Sequence, residues 1–271
     1  MKFSGLVSCL AVAGAATAGR IPTQQRSHKH ALPTTKIANI EVVDTPLVRD
    51  ALELIKAFIP LQPYLYNHLM RSWLFGAAAF NNNATLKAAV DLELHAVGTL
   101  LHDLGWDMRP NSPWHSENLP FEVDSALGAV AFVKDHNLST WDENRLERMH
   151  DGITLQGMTS YLNGKNIDTN WIVQSVIFEF PGPRSPLIRD ADYDSILAEF
   201  PNDTVFRGTN ETFTWLALTK PEGARGTFID YFGVSYVPGY GPQTNTAFEL
   251  ITAGVAAEIA QYPNSTFQSH I

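Results

Sequence analysis

The chain is expected to fold as an all-α protein, a single-domain helical bundle with short peripheral helices. Three observations predict this. Apolar residues recur at helical spacing through most of the chain beyond residue 40, helix caps and prolines punctuate those runs, and strand signals are few, Phe228 to Val237 being the best of them. No internal repeat and no linker divides the chain after residue 40, and 271 residues suffice for one large, well-buried domain.

Residues 1–18 read as a secretory signal. Met1-Lys2 is a positive start, Leu6 to Ala15 is a short apolar run, and Ala16-Thr17-Ala18 is a small-residue cleavage site. The run is too short and too rich in Ala and Gly for a spanning helix. Residues 19–40 are polar, without apolar period, and read as a flexible arm in which His28 and His30 are solvated. The helical domain occupies 41–271. Thr45-Pro46 caps and opens a first helix whose Leu47, Ala51, Leu54, Ile55 and Phe58 share a face, and Pro60 ends it. A second covers about 62–79 and holds His68. Asn83 caps a third over about 84–105, with Leu86, Val90, Leu94, Val97 and Leu101 on one stripe and His102-Asp103 at its end, before Gly105. A fourth spans about 121–137. The capping box Thr140-Trp141-Asp142-Glu143 opens a fifth, which carries Met149 and His150. Asp168 or Thr169 begins a sixth, which stops before Pro181-Gly182-Pro183. Shorter helices follow near 189–200, 211–219 and 244–261.

Composition excludes several functions. A formal charge of −9, with no Lys/Arg run and no glycine-rich phosphate loop, argues against nucleic-acid or membrane partners and leaves a small-molecule substrate. The one cysteine, Cys9, lies in the leader, so the mature chain has no disulfide, no thiol nucleophile and no cysteine-ligated zinc. Asn-x-Ser/Thr triplets at Asn83, Asn137, Asn202, Asn210 and Asn264 agree with the leader in pointing to a secreted, N-glycosylated protein.

The chemistry centres on two apolar segments, Tyr66-Asn67-His68-Leu69-Met70-Arg71-Ser72-Trp73 and Leu100-Leu101-His102-Asp103-Leu104-Gly105. Imidazole and carboxylate from different helices can close around a divalent metal, as bundles commonly build such sites. The dipeptide alone is unspecific, since His150-Asp151 repeats it. Its place at the end of a long apolar helix, with His68 on the preceding helix, distinguishes the first copy. The competing role for His102 is a helix C-cap.

These segments resemble the HD-domain superfamily of metal-dependent phosphohydrolases, and within it the fungal cyanamide hydratase-like branch. Further elements recur in order: Phe75-Gly76, Phe121-Glu122 leading to Gly128-Ala129, His150, and Ile177-Phe178-Glu179 running to Gly182. The resemblance covers about residues 45–220. It implies a helical bundle holding Zn or Fe through His68, His102, Asp103 and a distant aspartate, in whose place this chain has Glu179. Glu179 lies between Phe178 and Phe180 in an apolar helix, where a carboxylate needs a partner, either the metal or an arginine. Arg71 could hold such a carboxylate, bind an anionic group of the substrate, or form a surface ion pair. His150 and Glu122 are candidates for acid/base or substrate contacts, against structural roles for each. The expected activity is hydrolysis or hydration of a small substrate by metal-activated water. The alternatives are an iron oxygenase of the same superfamily, or an extracellular binding protein that keeps the fold with a degraded site.

Overall fold

The computed structural model describes residues 32–180, 184–242 and 246–261. The expected leader with Cys9, His28, His30, the Pro181-Gly182-Pro183 stop, Asn264 and His270 lie outside them. Among the described residues the protein is all-α but for one hairpin, with twelve α-helices and two four-residue strands.

The hairpin was expected to be part of the flexible arm. Its strands β1 (Thr34–Ile37) and β2 (Ile40–Val43) pair antiparallel with Ile37 opposite Ile40. The two-residue turn places Ala38 and Asn39 at φ of 48° and 62°, the left-handed geometry that matches strand twist in tight hairpins. Ile40, Val42 and Val43 are buried, and this anchors the hairpin to the bundle.

Helix α1 (Pro46–Ile55) is capped by the Thr45 hydroxyl, which accepts from Val48 N, and presents Leu47, Val48, Ala51 and Ile55 to the core. Helix α2 (Pro63–Asn82) is the longest and is buried nearly continuously from His68 to Phe80. The predicted helix over 84–105 is two helices, α3 (Ala84–Ala89) and α4 (Leu92–Leu101), separated by an extended Val90. Asp91 explains the break. Its backbone N–H donates to Asp168 Oδ1 at 2.7 Å instead of to Lys87, and its carboxylate caps Leu94 N. Arg145 grips both oxygens of that carboxylate at 2.8 Å, while Arg148 pairs with Asp168.

Helix α4 is buried from Glu93 to Leu101 and packs on α1, α2, α5 (Phe121–Asp135), α6 (Glu143–Thr154) and α7 (Ile167–Ile177). It is therefore the hub of the bundle. Gly98 lets Ile172 of α7 approach it, and Gly76 on α2 leaves room for His95 and Ser175, which a Cβ there would overlap. Helix α8 (Asp190–Glu199) leans on α2. Helices α9 (Val205–Thr219), α10 (Pro221–Ala224) and α11 (Asp230–Tyr236) pack together, with α9 also against α2, and α12 (Thr246–Gln261) follows.

The strand expected at Phe228–Val237 is instead α11. Its aromatic and β-branched content suits a sheet, but among the described residues the β1–β2 hairpin is the one sheet and α11 does not join it. Phe232 packs at 4.9 Å on Phe213, and Gly233 makes room for the Tyr240 ring. Tertiary packing overrides local preference here.

Candidate metal centre

Helix α4 ends at Leu101, earlier than the sequence pattern suggests, and this positions the site. His102 keeps near-helical angles, but Asp103 leaves the helix at φ −118°, ψ 31° before a single 3-10 turn over Leu104–Trp106. Two adjacent residues in a continuous helix point about 100° apart. With the backbone turned at Asp103, His102 Nε2 and Asp103 Oδ2 come within 3.2 Å. His68, on the buried face of α2, brings its Nε2 to 3.0 Å from His102 Nε2 and 3.2 Å from the same carboxylate oxygen. All three side chains are at most 2 % exposed.

The turn is held from several sides. Gln156, just beyond α6, donates its amide to His102 O at 2.9 Å. The Ser125 hydroxyl accepts from Gly105 N and donates to Phe121 O, both at 2.8 Å. Gln62 clasps the chain on either side of Asp107, donating to Trp106 O and accepting from Met108 N. Trp106 then lies stacked on the His68 ring, with centroids 5.7 Å apart.

Hydrogen bonding sets the direction of each lone pair. His102 Nδ1 faces Thr99 O at 2.8 Å, and a carbonyl only accepts, so Nδ1 carries the proton and Nε2 presents its lone pair to the cluster. His68 Nδ1 faces Glu179 Oε2 at 3.7 Å, an ion-pair contact longer than a hydrogen bond, which favours a proton on Nδ1 as well. Two imidazole lone pairs and a carboxylate oxygen thus meet in the buried core, an arrangement that repels itself unless a cation sits among them. Donors sharing one ion at about 2.0–2.1 Å lie roughly 3.0–3.4 Å from one another, so the observed spacing fits. Asp103 Oδ1 is buried with no hydrogen-bond partner, a further acceptor without a donor. The residues fit a divalent metal bound by two nitrogens and one oxygen.

A proton can stand in for the metal. Burial opposes a charged His68, but Asp103 and Glu179 outweigh it and push the imidazole up to about 9. Burial would raise Asp103 too, yet His102 and His68 bring it down to about 2. In metal-free protein His68 is therefore protonated at neutral pH, and a metal has to displace that proton. Metal affinity is expected to rise about tenfold per pH unit from 7 to 9 and to level off above, with one proton released per ion bound. Calorimetric titration in two buffers of different ionisation enthalpy measures this directly. A pH-independent affinity with no proton released would contradict the assignment.

Glu179, expected as the fourth ligand, is placed elsewhere. It lies just past α7 on the Nδ1 side of His68, away from the three converging atoms. Arg71, one turn after His68 on α2, occupies it: Nε reaches Oε2 at 2.7 Å and Nη2 reaches Oε1 at 2.6 Å. Arg71 is 0 % exposed, so it is neither a surface ion pair nor in reach of a dissolved anion, and its Nη1 also donates to Phe200 O and Pro201 O. Burial would raise the Glu179 carboxyl, but His68 and then Arg71 hold it below its ordinary value.

The two acid/base candidates part company. Glu122, in the first turn of α5, is buried with Oε2 unpartnered, and burial pushes its carboxyl up to about 7, aided by the charge of Asp103. His150 is not brought to the site. Leu146, Met149 and Ile153 form the buried stripe of α6, and His150 falls beside it, its side chain 36 % exposed and 4.0 Å from Asp151. His95, on α4, is buried against Ser175 and held neutral, its imidazole pushed down to about 3 by burial. From the sequence, Trp106 is one of four aromatic residues, with Trp73, Phe75 and Trp114, that either wall a pocket above the metal or belong to the core, and the structure stacks it on His68. Gln156, the support for His102, was missed because nothing local marks it. The principal surface clefts lie away from the cluster. No protein-family model matches this chain, and no curated protein matches it.

Proposed function

We propose that this chain is a secreted metal-dependent hydrolase or hydratase with an HD-type site, acting on a small uncharged substrate of nitrile-like or amide-like character. The observation that carries the reading is the meeting of His68 Nε2, His102 Nε2 and Asp103 Oδ2, from two helices, with their lone pairs turned inward. A Zn or Fe ion held there supplies Lewis acidity and brings the pKa of a bound water toward neutrality. His102 is fixed in its tautomer by Thr99 O, and His68 is steered by Glu179, which Arg71 holds in turn. Carboxylates behind a ligating imidazole orient it and raise its basicity, so we assign Glu179 a supporting role. Glu122, with a pKa near 7, can hold a proton at Oε2 and deliver it to the substrate atom that gains charge. Trp106, buried and stacked on His68, keeps bulk water away from the ligands.

Among the described residues, His68, His102 and Asp103 form the one group of this kind, which favours a single ion over the two irons of an oxygenase. Secretion and glycosylation rest on the leader and the sequons. Of these, Asn137, Asn202 and Asn210 are exposed, while Asn83 is half-buried and caps α3. No helix among the described residues is long and apolar enough to cross a membrane.

The test is elemental analysis of the purified chain together with turnover of small nitriles and amides. One Zn or Fe per chain is expected. Glu122→Gln is expected to keep the metal and lose about 100-fold or more in turnover. A chain that carries no divalent metal after loading, or a Glu122→Gln variant at full rate, would defeat the respective assignment.

A further inference from the structure

The ligand atoms are 0–2 % exposed, so a substrate reaches them only when part of the surface moves aside. Resting on the metal reading above, we propose that Gly157 and Phe228 form the gate of the site and set the size of the molecule it admits.

At Gly157 the wall over Glu122 is thin. This residue is exposed, yet a Cβ on it would lie 3.3 Å from Glu122 Oε1 and 2.8 Å from Phe228 Cε1. A single glycine thus separates solvent from the Glu122 carboxyl. The chain beside it is lightly anchored. From Gly157 to Ile167 no residue is buried, and a 3-10 turn over Thr159–Leu162 contributes nothing to the core. Segments with few buried apolar groups open at low cost in free energy. On the near side, Gln156 bonds the carbonyl of His102, so the inner edge of this flap touches the metal centre itself.

Phe228 closes the other side. Its ring is 37 % exposed and leans on Phe121 at 6.1 Å and Phe213 at 5.2 Å. Phe121 meets Trp106 at 5.8 Å, and Trp106 stacks on His68. A continuous file of rings therefore runs from solvent to the first ligand, with Glu122 as the polar group beside Gly157. Such a passage suits a small, flat, uncharged molecule with one hydrogen-bonding end. A charged or highly polar molecule would lose hydration along it without replacement.

The experiment uses the whole chain loaded with Co²⁺, whose visible absorption responds to ligand binding, and two uncharged probes at about pH 8, imidazole and the bulkier 1-benzylimidazole. In the wild type, imidazole is expected to change the spectrum and 1-benzylimidazole to bind at least tenfold more slowly. Phe228→Ala is expected to raise the 1-benzylimidazole rate tenfold or more. Gly157→Ala is expected to slow imidazole by a similar factor, and Gly157→Ala combined with Phe228→Ala to restore it, because the added methyl then has space. Thermal melts confirm that each variant is folded. Phe180, also 37 % exposed and 6.0 Å from His68, marks the rival path. Acceleration by Phe180→Ala with none by Phe228→Ala would overturn the gate while leaving the metal centre intact. Failure of the wild type to take up Co²⁺ would overturn the metal reading, and the gate with it.

Discussion

Replacing His102 by alanine is expected to abolish metal binding and reduce turnover to background while the bundle remains folded. His102 is one of three donors, and it is fully buried between Thr99 O and the cluster. Loss of a group that merely supports a ligand costs about 10–100-fold in metal affinity, so loss of a ligand costs more. The structural penalty is smaller. The substitution removes one imidazole at the end of α4 and leaves Asp103 with His68 as its partner, a change on the order of 1–3 kcal/mol. The two effects separate in one measurement. A ligand that binds only the native state stabilises it by about 2.7 kcal/mol at a concentration a hundred times its Kd. The wild type should therefore melt higher when Zn is added, and His102→Ala should not respond. A variant that kept one ion per chain and the full rise in Tm would show that the metal is held elsewhere.

The parts of this site that were legible in the sequence are those set by local pattern. His68 falls among apolar neighbours on a strongly helical run, and His102-Asp103 stands between such a run and a glycine. Helix capping marked α1 correctly because Thr45 bonds its own helix, while at α6 the cap is Asp142, which accepts from Arg145 N, and not the Thr140 of the expected capping box. What could not be read depended on partners remote in the chain. Asp91 breaks a helix that looked continuous because Arg145 and Asp168, from α6 and α7, take up its side chain and its N–H. Glu179 was seen to need a partner, but choosing between metal and arginine required knowing that Arg71 lies on the same side of His68. Histidine at position 150 had the right order in the chain and the wrong side of the helix. The β1–β2 hairpin did carry a signal, Ala38-Asn39 between Ile37 and Ile40, but the polar stretch before it masked its start. In α11 the composition pointed to a strand, and the aromatic cluster around Phe213 decided otherwise.

Arg71→Met is expected to be the most destabilising single change near the site, about 3–5 kcal/mol, a lowering of Tm by roughly 6–20 °C. Arg71 makes five hydrogen bonds from a fully buried position, three of them to Glu179 and two to the carbonyls of Phe200 and Pro201 at the end of α8. Methionine fills much of the space but supplies none of the donors, so a carboxylate 8 % exposed loses three hydrogen bonds and keeps only His68 as counter-charge. The pH dependence identifies the cause. In the wild type Glu179 sits below its ordinary value of 4.5, so its contribution to stability is present above that pH and fades as pH falls. In Arg71→Met only His68 opposes burial, so the carboxyl lies higher than in the wild type and the variant gains less stability above pH 4.5. The gap between the two proteins should be widest at neutral pH and narrow toward pH 4, as chemical denaturation at a series of pH values would register. A deficit independent of pH would assign the loss to packing instead. Combining Arg71→Met with Glu179→Leu removes both charges, and an apolar pair of similar volume is often neutral in such places. The double variant should recover most of the stability. It should not recover metal affinity, because His68 Nδ1 then faces no carboxylate. Stability regained without tight metal binding is the result that distinguishes a group that orients His68 from one that only holds α2 to α7.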